Sequence, residues 1–278
     1  MIPQLPGPAL LFCPADRPDR FAKALAAADA VILDLEDGVG AEGKDTARAA
    51  VVAADLDAAR VIVRVNAVGT AEHPADMAAL RGTRYRTIML PKTESRAQLD
   101  DLAAQWGSDW HIVALCETPL GILNAAEIAA APGVVAVMWG AEDLIASMRG
   151  RTSRFPDGRY RAVALQARST VLLAASAHGR PAIDSVYVDI SDLDGLAAEA
   201  EDAAASGFSR KACIHPSQAA IVRQAFRADE RQVAWARRVL AAARDAGAQD
   251  KGAVKVDGQM IDAPLIRQAE AILASVES

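Results

Sequence analysis

Two short apolar runs in this chain end on acids. Ile112-Val113-Ala114-Leu115-Cys116 stops at Glu117, and Val134-Val135-Ala136-Val137-Met138-Trp139 is followed by Gly140, Ala141, Glu142 and Asp143. A strand buried on both faces reads as a continuous apolar run, so the first charged residue behind it stands at the strand's carboxyl end. If the two strands are parallel neighbours, Glu117 and Asp143 converge, and converging carboxylates repel unless a proton or a cation lies between them. Hard oxygen ligands with room for water and substrate suit Mg²⁺, with Mn²⁺ as a substitute, better than zinc. The plainer role for Asp143 is to cap the helix beginning at Leu144. Gly140-Ala141, before Glu142, offers small residues and free backbone N–H groups at a helix start, a place for a substrate carboxylate beside the cation.

Arg64 interrupts a β-branched run, Val61-Ile62-Val63-Arg64-Val65, where an unpaired guanidinium is costly to bury. It needs an anion. The structural partner is Asp34, Glu36 or Asp37 behind the preceding strand; the functional partner is a substrate carboxylate or an enolate oxygen, which the guanidinium fork suits. Arg17 and Lys23, in and after the loop Cys13-Pro14-Ala15-Asp16-Arg17-Pro18 that closes the first strand, are candidates for holding phosphates. A solvated pair of cations is the plainer reading of the two. The basic loop Arg149-Gly150-Arg151-Thr152-Ser153-Arg154 carries the same two readings, as an anion-contacting flap or a solvated face. His215, before Pro216 and Ser217, reads as a strand-to-helix turn. Gly38-Val39-Gly40-Ala41-Glu42-Gly43 fits the dinucleotide pattern, yet Glu36 and Asp37 before it repel a pyrophosphate and no ribose-binding acid ends the next strand.

These residues need a frame that brings strand ends together. Strand-like segments fall near 8–13, 30–35, 61–66, 87–91, 111–116, 134–139, 183–188 and 211–214, with Ala-rich amphipathic stretches at 18–28, 43–54, 95–105, 120–131, 160–178 and 194–206. Repeated βα units of this number predict an α/β (β/α)8 barrel, whose chemistry sits at the carboxyl ends of the strands; a doubly wound open sheet is the alternative. A catalytic domain over 1–229 is expected, followed by a helical extension over 230–278. That extension comprises a helix at 231–246, a connector from Gly247 to Gly258 and a last helix after Pro264. It is a candidate lid that reaches a neighbouring subunit, or a helix closing the barrel floor.

With 52% hydrophobic and 24% charged residues over 278 positions, the chain has ample material for one large core. A net charge of −6 argues against general attraction to nucleic acid or an anionic membrane. Three cysteines, Cys13, Cys116 and Cys213, read as buried thiols of a reducing compartment. With no basic segment leading a long apolar run, a cytoplasmic protein is expected. Zinc spacing, a P-loop and a Ser-His-Asp order are not evident.

Taken in order, Leu11-Phe12-Cys13-Pro14, Ile32-Leu33-Asp34-Leu35-Glu36-Asp37-Gly38-Val39, Val63-Arg64-Val65-Asn66, Leu90-Pro91-Lys92, Glu117-Thr118-Pro119-Leu120-Gly121, Gly140-Ala141-Glu142-Asp143-Leu144 and Cys213-Ile214-His215-Pro216-Ser217-Gln218 resemble the citrate lyase beta-subunit-like proteins of the HpcH/HpaI aldolase superfamily. The likeness covers nearly the whole chain. It implies a TIM barrel, usually a homotrimer, that makes or cleaves a carbon–carbon bond between an acyl thioester and a 2-oxo acid using Mg²⁺. By position it implies Glu117 and Asp143 as metal ligands and Arg64 as the holder of the substrate oxygen. Asp262, in Met260-Ile261-Asp262-Ala263-Pro264, is similar to an aspartate delivered from a neighbouring subunit as acid or base; its plainer role is to cap the last helix. Many relatives have Pro-Gly where Pro14-Ala15 stands, a departure at the expected thioester-tail contact.

The expected activity is therefore Mg²⁺-dependent cleavage, or formation, of a 3-hydroxyacyl-CoA into an acyl-CoA and a 2-oxo acid, with CoA entering as part of the substrate and Asp262, then Glu36, as candidate bases. Two alternatives stand beside it. One is a class II pyruvate-type aldolase acting on free hydroxy-oxo acids, and the other is a citrate lyase complex subunit acting on an acyl carrier protein thioester.

Overall fold

The computed structural model describes residues 5–247 and 254–277, which fall into two compact units, 1–223 and 224–278. Unit one is a closed barrel of eight parallel strands: β1 (Ala9–Pro14), β2 (Ala30–Asp34), β3 (Val61–Arg64), β4 (Thr87–Leu90), β5 (His111–Cys116), β6 (Val134–Trp139), β7 (Ala182–Asp184) and β8 (Arg210–Cys213). Each pairs with the next, and β8 returns to β1 through Ala9↔Lys211 and Leu10↔Ala212. The expected barrel is present, and the open sheet is excluded by that closing pair.

The helices of this unit are α1 (Pro18–Ala27), α2 (Lys44–Ala53), α3 (Glu72–Arg81), α4 (Arg96–Trp106), α5 (Pro119–Leu123), α6 (Ala125–Ala129), α7 (Ala141–Ser147), α8 (Ala162–Ala177), α9 (Leu193–Ser206) and α10 (Pro216–Phe226), the last running across the unit boundary. Local chemistry sets their ends. Ser95, Thr118 and Asp192 accept backbone N–H groups of the first turns of α4, α5 and α9, and Gly207 ends α9 with φ 111°, a left-handed conformation glycine adopts without strain.

Every second strand residue faces the barrel axis, and Leu10, Ile32, Ile62, Met89, Val113, Leu115, Met138 and Ile183 fill that interior. The same alternation, carried past the strands, sends Asp34 and Glu36 of β2, Arg64 and Asn66 of β3, Glu117 of β5 and Gly140 of β6 to the inward rows at the carboxyl end. Among the described residues, no helix is long and apolar enough to cross a membrane. All three cysteines are buried and free.

The expected elements of this unit differ from the observed ones in two places. The stretch 120–131 is two short helices broken at Asn124, whose Nδ2 donates to Glu94 O at 2.8 Å and whose ψ of 9° leaves the helical path. The strand expected over 183–188 ends at Asp184, because β6 and β8 offer ladder partners only as far as that residue. Helix α3, which fills the third of the expected βα units, has no clear apolar stripe: its buried side includes His73 and Asp76 beside Met77 and Leu80.

Unit two contains α11 (Glu230–Gly247), β9 (Val254–Val256), β10 (Gln259–Ile261) and α12 (Ala263–Glu277) around Ala236, Val239, Val256, Ile261 and Ala269. The connector expected from Gly247 to Gly258 is in its second half a β-hairpin, because Asp257 and Gly258, at φ 50° and 86°, form the two-residue turn that antiparallel strands favour. Residues 248–253 of that connector lie outside the described residues.

Candidate active site

At the carboxyl end of the barrel, five carboxylates (Asp34, Glu36, Asp37, Glu117 and Asp143) surround two cations, Arg64 and Lys92. Arg64 is buried, and its anion is Asp34: Nε donates to Oδ1 at 2.7 Å and Nη2 to Oδ2 at 2.6 Å. Asp34 in turn accepts Glu36 N and Gly38 N, which fixes the pair before any ligand arrives. A Cβ at Gly38 would stand 2.5 Å from Asp34 Oδ2, so the turn that delivers that N–H has room only for glycine. The guanidinium stacks 4.9 Å from the Phe12 ring, and its Nη1 lies 3.0 Å from Glu36 Oε2. That approach is off the line a hydrogen bond needs, so Glu36 Oε2 is a buried oxygen with a charge partner and no donor.

Glu36 Oε1 is held by Lys92 Nζ at 2.6 Å. The same ammonium is 3.6 Å from Asp143 Oδ1 and 3.9 Å from Glu117 Oε1. Glu117 is 2% exposed and accepts the Lys92 backbone N–H at 3.1 Å. Burial first, then the charges of Asp143 and Glu36, push its carboxyl from the ordinary 4.5 up to about 8; Lys92 and Arg64 offset only part of that. Burial also raises Glu36, against the pull of Arg64 and Lys92. Lys92 stays charged, since its three acidic neighbours more than offset the cost of burial and hold its ammonium well above the usual lysine range. A nucleophilic neutral amine at this position is therefore disfavoured.

Around this cluster a supporting layer is fully paired. Lys44 Nζ donates to Leu35 O, Glu36 O and Asn66 Oδ1, and Asn66 in turn binds Asp76, which is held by Arg48. These contacts clamp the ends of β2 and β3 against α2 and α3.

The structure places the remaining expected residues as follows. Asp143 lies in the first turn of α7 and is not its cap; Gly140 holds that position. The N–H groups of Gly140 and Ala141, expected to be free, are both donated, to Cys116 O and Ser185 Oγ at 3.3 Å each. Gly140 matters for space instead: a Cβ there would stand 2.7 Å from Glu117 Oε2. Glu142 faces away from the two cations and accepts Ser153 Oγ at 2.6 Å, tying down the loop after β6. In that loop Arg154 is engaged by Glu199 and by the Tyr160 ring, 3.7 Å away, while Arg149 and Arg151 are exposed. Pro14 ends β1; Arg17 is paired with Asp19 on the surface and Lys23 is exposed, so neither cation joins the carboxylates. His215 forms a local turn with Ser217. In unit two, exposed Asp262 immediately precedes α12, and its carbonyl accepts Ile266 N at 3.0 Å.

The sequence reading gave no role to Lys92. Its signals are a charge directly behind the apolar run of β4 and its place in the Leu90-Pro91-Lys92 motif.

The HpcH/HpaI aldolase/citrate lyase family model matches residues 9–216. A citrate lyase subunit beta-like protein of Mycobacterium tuberculosis is 55% identical over 96% of this chain and 94% of its own length. A (3S)-malyl-CoA thioesterase of Cereibacter sphaeroides is 36% identical (97% and 94%), and the mitochondrial citramalyl-CoA lyase of Rattus norvegicus 32% identical (99% and 87%). The crystal structure of protein CitE from Mycobacterium tuberculosis in complex with magnesium, acetoacetate and coenzyme A superposes with a TM-score of 0.91 at 54% identity, covering 98% of this chain and 99% of that one.

Proposed function

This chain belongs to the HpcH/HpaI aldolase/citrate lyase family, and from that premise we propose that it is a Mg²⁺-dependent carbon–carbon lyase that splits a 3-hydroxyacyl-CoA into an acyl-CoA and a 2-oxo acid, or joins the two. The observation that carries the reading is the charge imbalance at the barrel mouth. Arg64 answers Asp34 and Lys92 bonds Glu36, while Glu117 and Asp143 share only that same Lys92 ammonium, at 3.9 and 3.6 Å, and Glu117 feels the charge of Asp143. Such a pair fits a divalent ion. Two carboxylates alone would leave the remaining ligand positions to water and substrate, as Mg²⁺ prefers. When bound there, the ion supplies Lewis-acid polarisation of the 2-oxo acid oxygens.

The chain's own residues divide the remaining work. A base takes the proton from the 3-hydroxyl; the bond between C2 and C3 breaks, the hydroxyl carbon becomes the carbonyl of the 2-oxo acid, and the bonding pair passes to the thioester as an enolate. Arg64, held rigid by Asp34 and still offering Nη1, stabilises that developing negative charge. Proton return at C2 releases the acyl-CoA. Asp262 is the proposed base, delivered by the 230–278 extension of a neighbouring subunit in a homotrimer, with Glu36 and its donor-free oxygen second. Pro14, Arg17 and Lys23 are the proposed contacts of the CoA tail, and a cytoplasmic setting is proposed, with the three free, buried cysteines in keeping with it.

The test incubates the purified chain with citramalyl-, malyl- and hydroxymethylglutaryl-CoA, with Mg²⁺ or with EDTA, and reads products by mass spectrometry. From citramalyl- and malyl-CoA a Mg²⁺-dependent acetyl-CoA and a 2-oxo acid are expected; hydroxymethylglutaryl-CoA, whose same cleavage would release a 3-oxo acid, tests whether the oxo acid must be a 2-oxo acid. Full activity in EDTA contradicts the reading, and cleavage of hydroxy-oxo acids lacking CoA favours the aldolase alternative. Likeness to the malyl-CoA thioesterase supports a second step, seen as free CoA and a free hydroxy acid.

A further inference from the structure

Lys92 is the one residue that touches every unbalanced part of the site. Its ammonium lies within 4 Å of Glu36, Asp143 and Glu117, at 2.6, 3.6 and 3.9 Å, and its backbone N–H holds the Glu117 carboxylate at 3.1 Å. Its backbone is unusual too. At φ 50° it occupies the left-handed region that favours glycine, at a cost of roughly 1 kcal/mol or more for a side chain of its type. The turn is pinned on both sides, by Thr93 Oγ1 donating to Leu90 O at 2.7 Å and Thr93 N donating to Leu115 O at 3.0 Å. A strained turn held this firmly aims one ammonium at three carboxylates that follow three different strands, β2, β5 and β6.

We infer that Lys92 is a resident counter-cation: its backbone N–H holds Glu117 while its side-chain charge opposes the entry of a divalent ion between Glu117 and Asp143. The inference rests on the metal reading above and deepens it. A fixed positive charge 3.6–3.9 Å from both ligands repels a second cation, whereas a neutral side chain of the same length leaves the ligands in place without that repulsion. Glu36 is the counterweight, since its negative charge lies against the ammonium and cancels most of its field at a distance. Lys92 is thus a positioning residue that sets metal affinity through charge.

The test is a Mn²⁺ titration of the intact chain, reading the electron paramagnetic resonance signal of free aquo-Mn²⁺, on wild type, Lys92→Met, Lys92→Arg, Glu36→Gln and the Met/Gln double variant, each checked for folding by circular dichroism. Lys92→Met is expected to bind at least about tenfold tighter, Glu36→Gln correspondingly weaker, and the double variant close to wild type. Lys92→Arg, which keeps the charge, is expected to bind like wild type. Affinity unchanged or weakened in Lys92→Met, or Lys92→Arg behaving like Lys92→Met, overturns the inference. If wild type itself binds no Mn²⁺, the metal reading fails first, and the two failures are told apart by that one curve.

Discussion

Two buried clusters of charge lie in the same barrel and behave oppositely. Between the strands and the outer helices, Asp184 and Lys211, both fully buried, bond each other at 2.9 Å. Arg168, Glu199 and the Trp139 indole complete that network, and Ser185 O accepts the third bond offered by Lys211. Burial opposes ionisation of Asp184, yet Lys211 and Arg168 outweigh it and hold the carboxyl below its usual range. At the barrel mouth burial wins instead, and Glu117 is pushed up to about 8. The difference is one of balance. A closed set of partners makes charge part of the scaffold, and a set one cation short makes it a site.

The comparison breaks most visibly under substitution of the ligands. Glu117→Ala or Asp143→Ala is expected to remove several kcal/mol of transition-state stabilisation, taking kcat below about a thousandth of wild type, while the circular dichroism spectrum of the barrel persists. Wild-type turnover by either variant would remove the distinction. In the other cluster, Asp184→Asn leaves Lys211 buried without its main partner. It is expected to cost about 3–5 kcal/mol in chemical denaturation, far more than the ligand changes do.

Acid and base separate the clusters by sign. The Glu117 carboxyl binds its proton more tightly folded than unfolded, so in EDTA its contribution to stability is lost as pH rises from about 4.5 to about 8 and is flat above that. Asp184 is the reverse: its contribution is present above its unfolded value near 3.8 and is lost as pH falls through the lower folded one. Melting curves of wild type against Glu117→Gln and Asp184→Asn across this range are expected to show opposite slopes, with Mg²⁺ recovering stability most at the alkaline end. Parallel slopes contradict the contrast. The smallest effect is expected at the margin of the site. Ser153→Ala removes one hydrogen bond to the Glu142 carboxylate and should cost about 1–2 kcal/mol in denaturation, with Mn²⁺ affinity unaltered.

Much of this was readable along the chain because period and punctuation are local. The apolar runs of β5 and β6 gave the strands, and the first acids behind them gave Glu117 and Asp143. Arg64 in a β-branched run announced a buried guanidinium, and its structural partner was among the three acids named. Where tertiary partners decide, the chain order is silent. Free N–H groups were expected at Gly140 and Ala141, but Cys116 O and Ser185 Oγ take them from neighbouring strands. Helix α3 is the least legible of the βα helices because Asp76, fully buried, serves Arg48 and Asn66, an arrangement no hydrophobic pattern records.

The amino-acid order alone determined the alternation of strands and helices, the inward row at each strand end, and hence the types of residue gathered at the mouth, since side-chain direction in a strand repeats every two residues. Tertiary structure alone decided which charges cancel. Lys92 reaches Glu36 across 56 positions and Lys211 reaches Asp184 across 27, and a carboxylate's character depends on burial and on cations within a few ångströms, not on its neighbours in the chain.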